Sequence, residues 1–302
     1  MLDYVELTDN ITKVFIEADK YQLDKHVPEF KRDGKYIGDF FSLTMFELDG
    51  DNPPLFYHTY SPYDTISSKS SDYAVVFRAG EPIFTTEFTP YMRQRTGSMT
   101  SVVIKGLGVN KLEAKKVVFI GTGKTATQDL RALKANFPEL KTVAYINRTG
   151  KAPEFLEQAT KLDVAAQPSD LTHIGDFDII ICHTSSKEAV LTKAMKNNIK
   201  KGALITTFAS EDSNEVASEF FDTNTAAIII DWEKTTQEAL ELKAAVDQGI
   251  ADGTQLVSLK ALLENGLDNG DKQYTIYRSH GTPMQNLAAL QLLLRQTKYN
   301  SL

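Results

Sequence analysis

At 302 residues the chain exceeds one ordinary domain, so its length predicts two, each able to bury a core of its own. Hydrophobic residues at 42% and charged residues at 24% describe a folded globular protein and exclude a disordered or fibrous one. The formal net charge of −7 argues against a phosphate-backbone binder, because duplex affinity comes from clustered Lys and Arg; nucleic acid is not an expected partner.

The N-terminus, MLDYVELTDN, lacks the basic start and apolar centre of a secretory signal. There is no run of about 18 apolar residues to cross a membrane, and the single cysteine, Cys182, cannot form an internal disulfide. The expected setting is therefore reducing, soluble and cytoplasmic. Cys182 closes the apolar run Phe177 to Cys182 and reads as a buried structural thiol. In the first third, Pro53-Pro54, Ser61 to Tyr63, Ser67 to Ser71 and Arg78 to Pro82 punctuate short runs such as Phe40 to Leu48 and Tyr73 to Phe77, which read as strands of a mixed α+β domain. A helical pattern follows over Met99 to Leu107 and ends at Gly106 to Gly108.

From Lys116 the character changes to regular alternation. Near-continuous apolar strands are predicted at Val117 to Ile120, Thr142 to Ile146, Asp178 to Cys182, Ala203 to Phe208 and Ala226 to Asp231, with helix-like stretches between them. Strands apolar on both faces and separated by helices predict a doubly wound parallel sheet, of α/β class and Rossmann type. A last run, Tyr274 to Tyr277, precedes Thr282 as helix cap, Pro283 at the first helical position and an apolar helix over Met284 to Leu294.

The strongest local signal is the strand Val117 to Ile120 running into Gly121-Thr122-Gly123-Lys124-Thr125-Ala126, a Gly-x-Gly-x-x-Ala turn that opens a helix over Thr127 to Asn136. Gly121 permits the tight turn, Gly123 lets the backbone approach a pyrophosphate, and Ala126 lets the helix pack close to the sheet. The helix N-terminus supplies N–H groups for the anion. Gly123-Lys124-Thr125 also resembles the end of a Walker loop, but that motif requires a glycine where Val118 stands inside the strand. At the end of the second strand an NAD enzyme places a carboxylate for the ribose hydroxyls, whereas this chain places Asn147-Arg148-Thr149. Without that carboxylate, and with a guanidinium and a hydroxyl in its place, the site suits a ribose 2′-phosphate. NADP(H) is the favoured cofactor, with NAD(H) possible.

Several segments in one order carry a resemblance to a known family. Arg95-Thr96-Gly97-Ser98-Met99-Thr100 resembles the Arg-Thr-Ala-Ala-x-Ser segment of the ornithine cyclodeaminase and mu-crystallin family. Gly121 to Ala126, Asn147-Arg148-Thr149, Thr184-Ser185-Ser186, Gly202 to Asp212 and Thr275 to Gly281 stand at the places of further family segments. The match runs over roughly 70–297 and is looser before that. The resemblance implies a substrate-binding and dimerisation domain over 1–115 plus 281–302, an NAD(P)-binding Rossmann domain over 116–280, an active site between them and a homodimer. It adds Thr184, Ser185, Ser279 and Gly281 to the cofactor-binding set. The implied activity is an NADP(H)-dependent oxidoreductase passing a hydride to or from the α carbon of a small imino or amino acid. The alternatives within the family are a cyclodeaminase-type lyase with bound cofactor and a non-catalytic NADPH-binding protein of the mu-crystallin kind.

By that resemblance Arg95 is the clamp on the substrate carboxylate, since a guanidinium binds both oxygens and orients the α carbon. Glu211, or Asp212 if the register slips by one, would carry protons to and from the substrate amine. The chain departs from the family near Pro62, where Phe56 to Asp64 holds no lysine at the family's place and Lys69 lies on the wrong side of the proline. His58 is the candidate substitute, with Tyr57 the alternative. His280 replaces an apolar family residue and serves either in acid–base chemistry or in packing. His26, His58, His173, His183 and His280 are dispersed, and no metal-ligand cluster is visible.

Overall fold

In a computed structural model, which describes residues 1–33, 35–48, 54–64, 69–209 and 213–297, the chain divides into two compact units. The first comprises Met1–Thr96 and Thr282–Leu302, the second Gly97–Gly281.

The first unit opens with helix α1 (Tyr4–Ile16), whose start is set by Asp3: its carboxylate accepts from the N–H groups of Val5 and Glu6. Leu7, Ile11 and Val14 recur at helical spacing and bury that face. Strands β1 (Tyr21–His26), β2 (Glu29–Arg32), β3 (Lys35–Glu47), β4 (Leu55–Asp64), β5 (Lys69–Ser70), β6 (Tyr73–Arg78) and β7 (Glu81–Glu87) follow, then helix α2 (Thr89–Gly97). They form an antiparallel sheet in the order β1-β3-β4-β6-β7, with β2 added on β3 and β5 on β4. Leu43, Met45, Tyr57, Thr59, Ala74 and Val76 are buried on one face. The other face is aromatic. Phe40 stacks on Tyr60 at 5.5 Å and Tyr60 on Tyr73 at 5.6 Å, while Phe56 meets Phe46 and Phe77. With large side chains on both faces the polar–apolar alternation of a half-buried sheet disappears, which is why the sequence reads as loosely spaced there.

The second unit starts with helix α3 (Met99–Gly106) and strand β8 (Val117–Ile120), then alternates through α4 (Lys124–Asn136), β9 (Thr142–Ile146), α5 (Pro153–Lys161), β10 (Ala165–Pro168), β11 (Ile179–Cys182), β12 (Ala203–Thr207) and β13 (Ala226–Ile230). Short helices α6 (Thr235–Glu238) and α7 (Leu240–Asp247), strand β14 (Val257–Ser258), helix α8 (Leu259–Asn265) and strand β15 (Tyr274–Arg278) complete it. Helix α3 lies in this unit because it packs on α4 and α8. All eight strands run parallel in the order β10-β9-β8-β11-β12-β15-β13-β14. Strands β8, β11, β12, β13 and β15 are buried along their whole length, the condition behind their unbroken apolar runs. From β8 the chain winds one way to β9 and β10, then crosses to β11 and β12. That places the switch point of the doubly wound sheet between β8 and β11. Strand β10, absent from the sequence reading, is mostly exposed and too polar to announce itself.

Helix α9 (Pro283–Gln296) returns to the first unit and lies along α1. Thr282 stands at its N-cap with Pro283 in the first turn, as the sequence predicts, but the hydroxyl is buried without a hydrogen-bond partner and does not cap the helix. No helix among the described residues is long and apolar enough to cross a membrane.

Candidate functional site

The turn Gly121 to Ala126 follows β8 directly. Gly121 has φ +91° and donates its N–H to Ile146 O at 2.8 Å; a Cβ there would stand 2.1 Å from His183 O. The protein's own backbone therefore demands this glycine. Gly123 is different. It is the N-cap of α4 with φ −75°, a value open to any residue, and a Cβ built on it would meet nothing within 4 Å. No side chain caps α4, and no acidic residue occupies its first turn. Ala126 is fully buried against the sheet, while Lys124 is exposed at the helix start. Folding gives no reason for glycine at position 123, but close approach of an anion to an uncapped helix N-terminus does.

The turn after β9 is stitched to this one by Asn147. Its Nδ2 donates to Thr122 Oγ1 at 2.9 Å and to Lys151 O at 2.8 Å. Asn147, expected as a direct cofactor ligand, ties the two turns together through its Nδ2, while its Oδ1 is buried without a partner. Arg148, Thr149 and Lys151 are exposed, with Gly150 at φ +66° turning the chain between them. Lys124, Arg148 and Lys151 form no ion pair with any described carboxylate. Lys151 adds a cation that the sequence reading missed; its place two residues beyond Thr149 was the available signal.

Beyond β11 the chain is held by two buried carboxylates. His183 Nε2 lies 2.9 Å from Asp129 Oδ2, which also accepts from Thr100 Oγ1 at 2.6 Å. The His183 ring stacks on Phe208 with centroids 4.6 Å apart. The Thr184 N–H donates to Glu215 Oε1, while Glu215 Oε2 accepts from Thr207 Oγ1 at 2.7 Å and Phe208 N at 2.8 Å. Thr184, expected as a cofactor contact, thus commits its amide to Glu215, and Ser185 is exposed beside it. Burial, then the nearby Glu215 charge, pushes the Cys182 thiol well up, so this free cysteine is an inert core residue. Burial likewise pushes the Asp129 carboxyl up, against the pull of His183 and Thr100. Asp129 was legible in principle, because it sits three residues from Ala126 on the apolar stripe of α4 shared with Leu130 and Leu133.

At the ends of β13 and β15, Ser279 and Gly281 gather on Asp231. Its Oδ2 accepts from Ser279 Oγ at 2.6 Å and Gly281 N at 3.2 Å, and its Oδ1 accepts from Thr235 Oγ1 at 2.7 Å. The His280 imidazole lies 3.8 Å from Glu238 Oε2. One residue upstream, Arg278 is buried with its Nε 2.7 Å from Glu241 Oε1.

Two expected site residues belong to the first unit. Arg95 is buried, with Nε donating to Asn286 Oδ1 at 2.9 Å and Nη1 donating to Thr96 Oγ1 at 2.8 Å and to Gln285 Oε1. Asn286 in turn donates to Thr59 Oγ1 at 2.8 Å. Thr59 points to the buried face of β4. His58 therefore points to the other face, among Phe56 and Tyr60, with Nε2 3.0 Å from Ser42 Oγ. The sheet separates His58 from the Arg95 cluster, because successive side chains of a strand point to opposite faces. Burial holds the His58 imidazole below its usual range, and burial pushes the Tyr57 phenol up. Glu211 and Asp212 lie outside the described residues. Among those described, no three His, Cys, Asp or Glu side chains are grouped to hold a metal ion.

The sequence profile of the ornithine cyclodeaminase/mu-crystallin family matches residues 70–300. No curated protein sequence matches with significance. The iminosuccinate reductase of Paracoccus denitrificans, solved with NAD+, is similar with a TM-score of 0.84 at 18% identity, over 99% of this chain and 93% of that one. The Δ1-pyrroline-2-carboxylate reductase of Thermococcus litoralis, solved with NADH and L-proline, gives 0.82 at 16% identity over 98% and 94%. An archaeal alanine dehydrogenase dimer with bound NAD gives 0.81 at 18% identity over 100% and 93%. At such identities the likeness is one of fold.

Proposed function

The chain belongs to the ornithine cyclodeaminase/mu-crystallin family, and on that premise we propose that it binds NADP(H) on the parallel-sheet unit and passes a hydride to or from the α carbon of a small imino or amino acid. The observation that carries the reading is Gly123: an uncapped helix start at the switch-point strand, kept free of a Cβ that the fold itself would tolerate. The nicotinamide, when bound, supplies or accepts the hydride. The chain's part is placement. Gly123 and the first turn of α4 hold the pyrophosphate, and Arg148, Thr149 and Lys151 face the ribose phosphate. Arg95, oriented by the neutral amides of Asn286 and Gln285, takes the substrate carboxylate. Glu211 or Asp212 carries the proton, on the resemblance alone.

The three structural neighbours hold NAD or NADH, so the NADP preference rests on the turn after β9. Fluorescence titration is expected to show NADPH binding about tenfold tighter than NADH, ~1.4 kcal/mol, with Arg148→Ala removing most of the difference. Equal or tighter NADH binding by the unaltered protein sinks the NADP assignment.

The reaction is tested with a panel of cyclic imines, 2-oxo acids with amines, and L-amino acids, followed by nicotinamide absorbance with both cofactors. Net turnover is expected, and Arg95→Lys is expected to lower kcat/KM roughly a hundredfold, since a point charge cannot replace a bidentate fork. Ammonia release without net nicotinamide change would support the lyase. Tight NADPH binding with no turnover across the panel would support a non-catalytic binder, which the absence of a lysine near Pro62 favours.

A further inference from the structure

Asp129 is fully buried, yet both of its hydrogen bonds fall on one oxygen: Oδ2 takes His183 Nε2 at 2.9 Å and Thr100 Oγ1 at 2.6 Å, while Oδ1 is buried with no hydrogen-bond partner. Thr100 Oγ1 lies 3.4 Å from Thr206 Oγ1, which continues the chain of hydroxyls to β12. A buried acid held this way is costly for folding alone, because desolvation of a carboxylate is compensated only when its oxygens are satisfied. Polar groups maintained at such cost accumulate where a site needs fixed geometry.

The geometry shows what this one fixes. His183 is the first residue after β11, and its carbonyl is the atom that a Cβ on Gly121 would strike at 2.1 Å. Its backbone is therefore pressed against the phosphate turn, and its ring, stacked on Phe208, bridges to the end of β12. In a doubly wound sheet the adenosine half of a dinucleotide lies over the strands wound in one direction from the switch point and the nicotinamide half over those wound in the other. Here those are β9 and β10 on one side and β11 and β12 on the other. Asp129 on α4 reaches across the switch point and ties the nicotinamide side to the helix that holds the pyrophosphate.

We propose that Thr100, Asp129 and His183 form a buried latch that sets the loop after β11 for the nicotinamide half of the cofactor. They are positioning residues, acting through the backbone of His183 and Thr184 rather than by contact with the reacting atoms. The proposal rests on the reading of the parallel-sheet unit as a dinucleotide site. The test compares whole cofactors with their adenosine halves: NADPH with 2′,5′-ADP, and NADH with ADP, titrated by cofactor fluorescence and calorimetry. Asp129→Asn, His183→Gln and Thr100→Val are each expected to weaken the dinucleotide about tenfold while leaving the adenosine half within twofold. Thr100→Ser, which keeps the hydroxyl, is expected to bind as the unaltered protein does, and it remains informative if a variant at Asp129 fails to fold.

Equal loss of dinucleotide and adenosine half, or dinucleotide binding unchanged in all three variants, overturns the latch. If the unaltered protein binds neither dinucleotide nor adenosine half, it is the cofactor reading that fails, and the latch falls with it.

Discussion

Replacing Gly121 by alanine is expected to destabilise the protein by about 4 kcal/mol, and replacing Gly123 by alanine to leave stability nearly unchanged while abolishing tight cofactor binding. The two positions stand two residues apart in one turn and are glycine for opposite reasons. Alanine at 121 must adopt φ +91° and place its Cβ 2.1 Å from His183 O, so both the positive-φ cost and an overpacking cost fall on the folded state. Backbone on both sides leaves little room to relax. Alanine at 123 has an ordinary φ and meets no protein atom within 4 Å. Its methyl group instead stands where a pyrophosphate must approach, and NADPH affinity is expected to fall about a hundredfold, ~2.7 kcal/mol. Thermal unfolding followed by circular dichroism, with NADPH titration, checks both. A stable Gly121→Ala protein would contradict the backbone argument, and NADPH binding unchanged by Gly123→Ala would contradict the site.

The second large effect is expected inside the parallel-sheet unit, at the ion pair of Arg278 and Glu241. Both side chains are buried with Nε and Oε1 2.7 Å apart, while Arg278 Nη2 and Glu241 Oε2 lack hydrogen-bond partners among the described residues. Removing one member strands a charge in the core. Glu241→Ala is expected to cost about 3–5 kcal/mol in chemical denaturation. The double substitution Arg278→Met with Glu241→Leu removes both charges together with the unsatisfied atoms, and is expected to recover stability to within ~1 kcal/mol of the unaltered protein or to exceed it. A double variant as unstable as Glu241→Ala would show that the pair itself holds β15 to α7.

The corresponding shares of sequence and structure differ between the two units. In the parallel-sheet unit the sequence marked β8, β11, β12 and β13 as strands and β15 as an apolar run, because a strand buried on both faces needs an unbroken apolar run and each helix between needs its own period; β9 was marked too, although alternate residues of it are partly exposed. In the antiparallel unit it marked only parts of β3 and β6. Large apolar residues such as Phe40, Phe56 and Tyr60 on one face and Tyr57 and Met45 on the other erase the period of two. Strand β15 was marked only as an apolar run, neither named a strand nor placed. Its position between β12 and β13 is a matter of which parallel neighbours it pairs with, and that leaves no mark in local pattern.

For the site, what the sequence determined by itself is the turn Gly121 to Ala126 and the cation-bearing turn after β9, since backbone conformation and charge type are written in adjacent residues. What only the tertiary structure decided is which of the polar residues meet. Asp129, His183 and Thr100, or Asp231 and Ser279, are separated by tens of residues and converge only when helices α3 and α4 pack together on the sheet and its parallel strands bring their ends to one edge. His58 and Arg95 were joined in the sequence reading by the family resemblance. The pleat of β4 parts them, because Thr59 takes the face that reaches Asn286 and its neighbour must take the other.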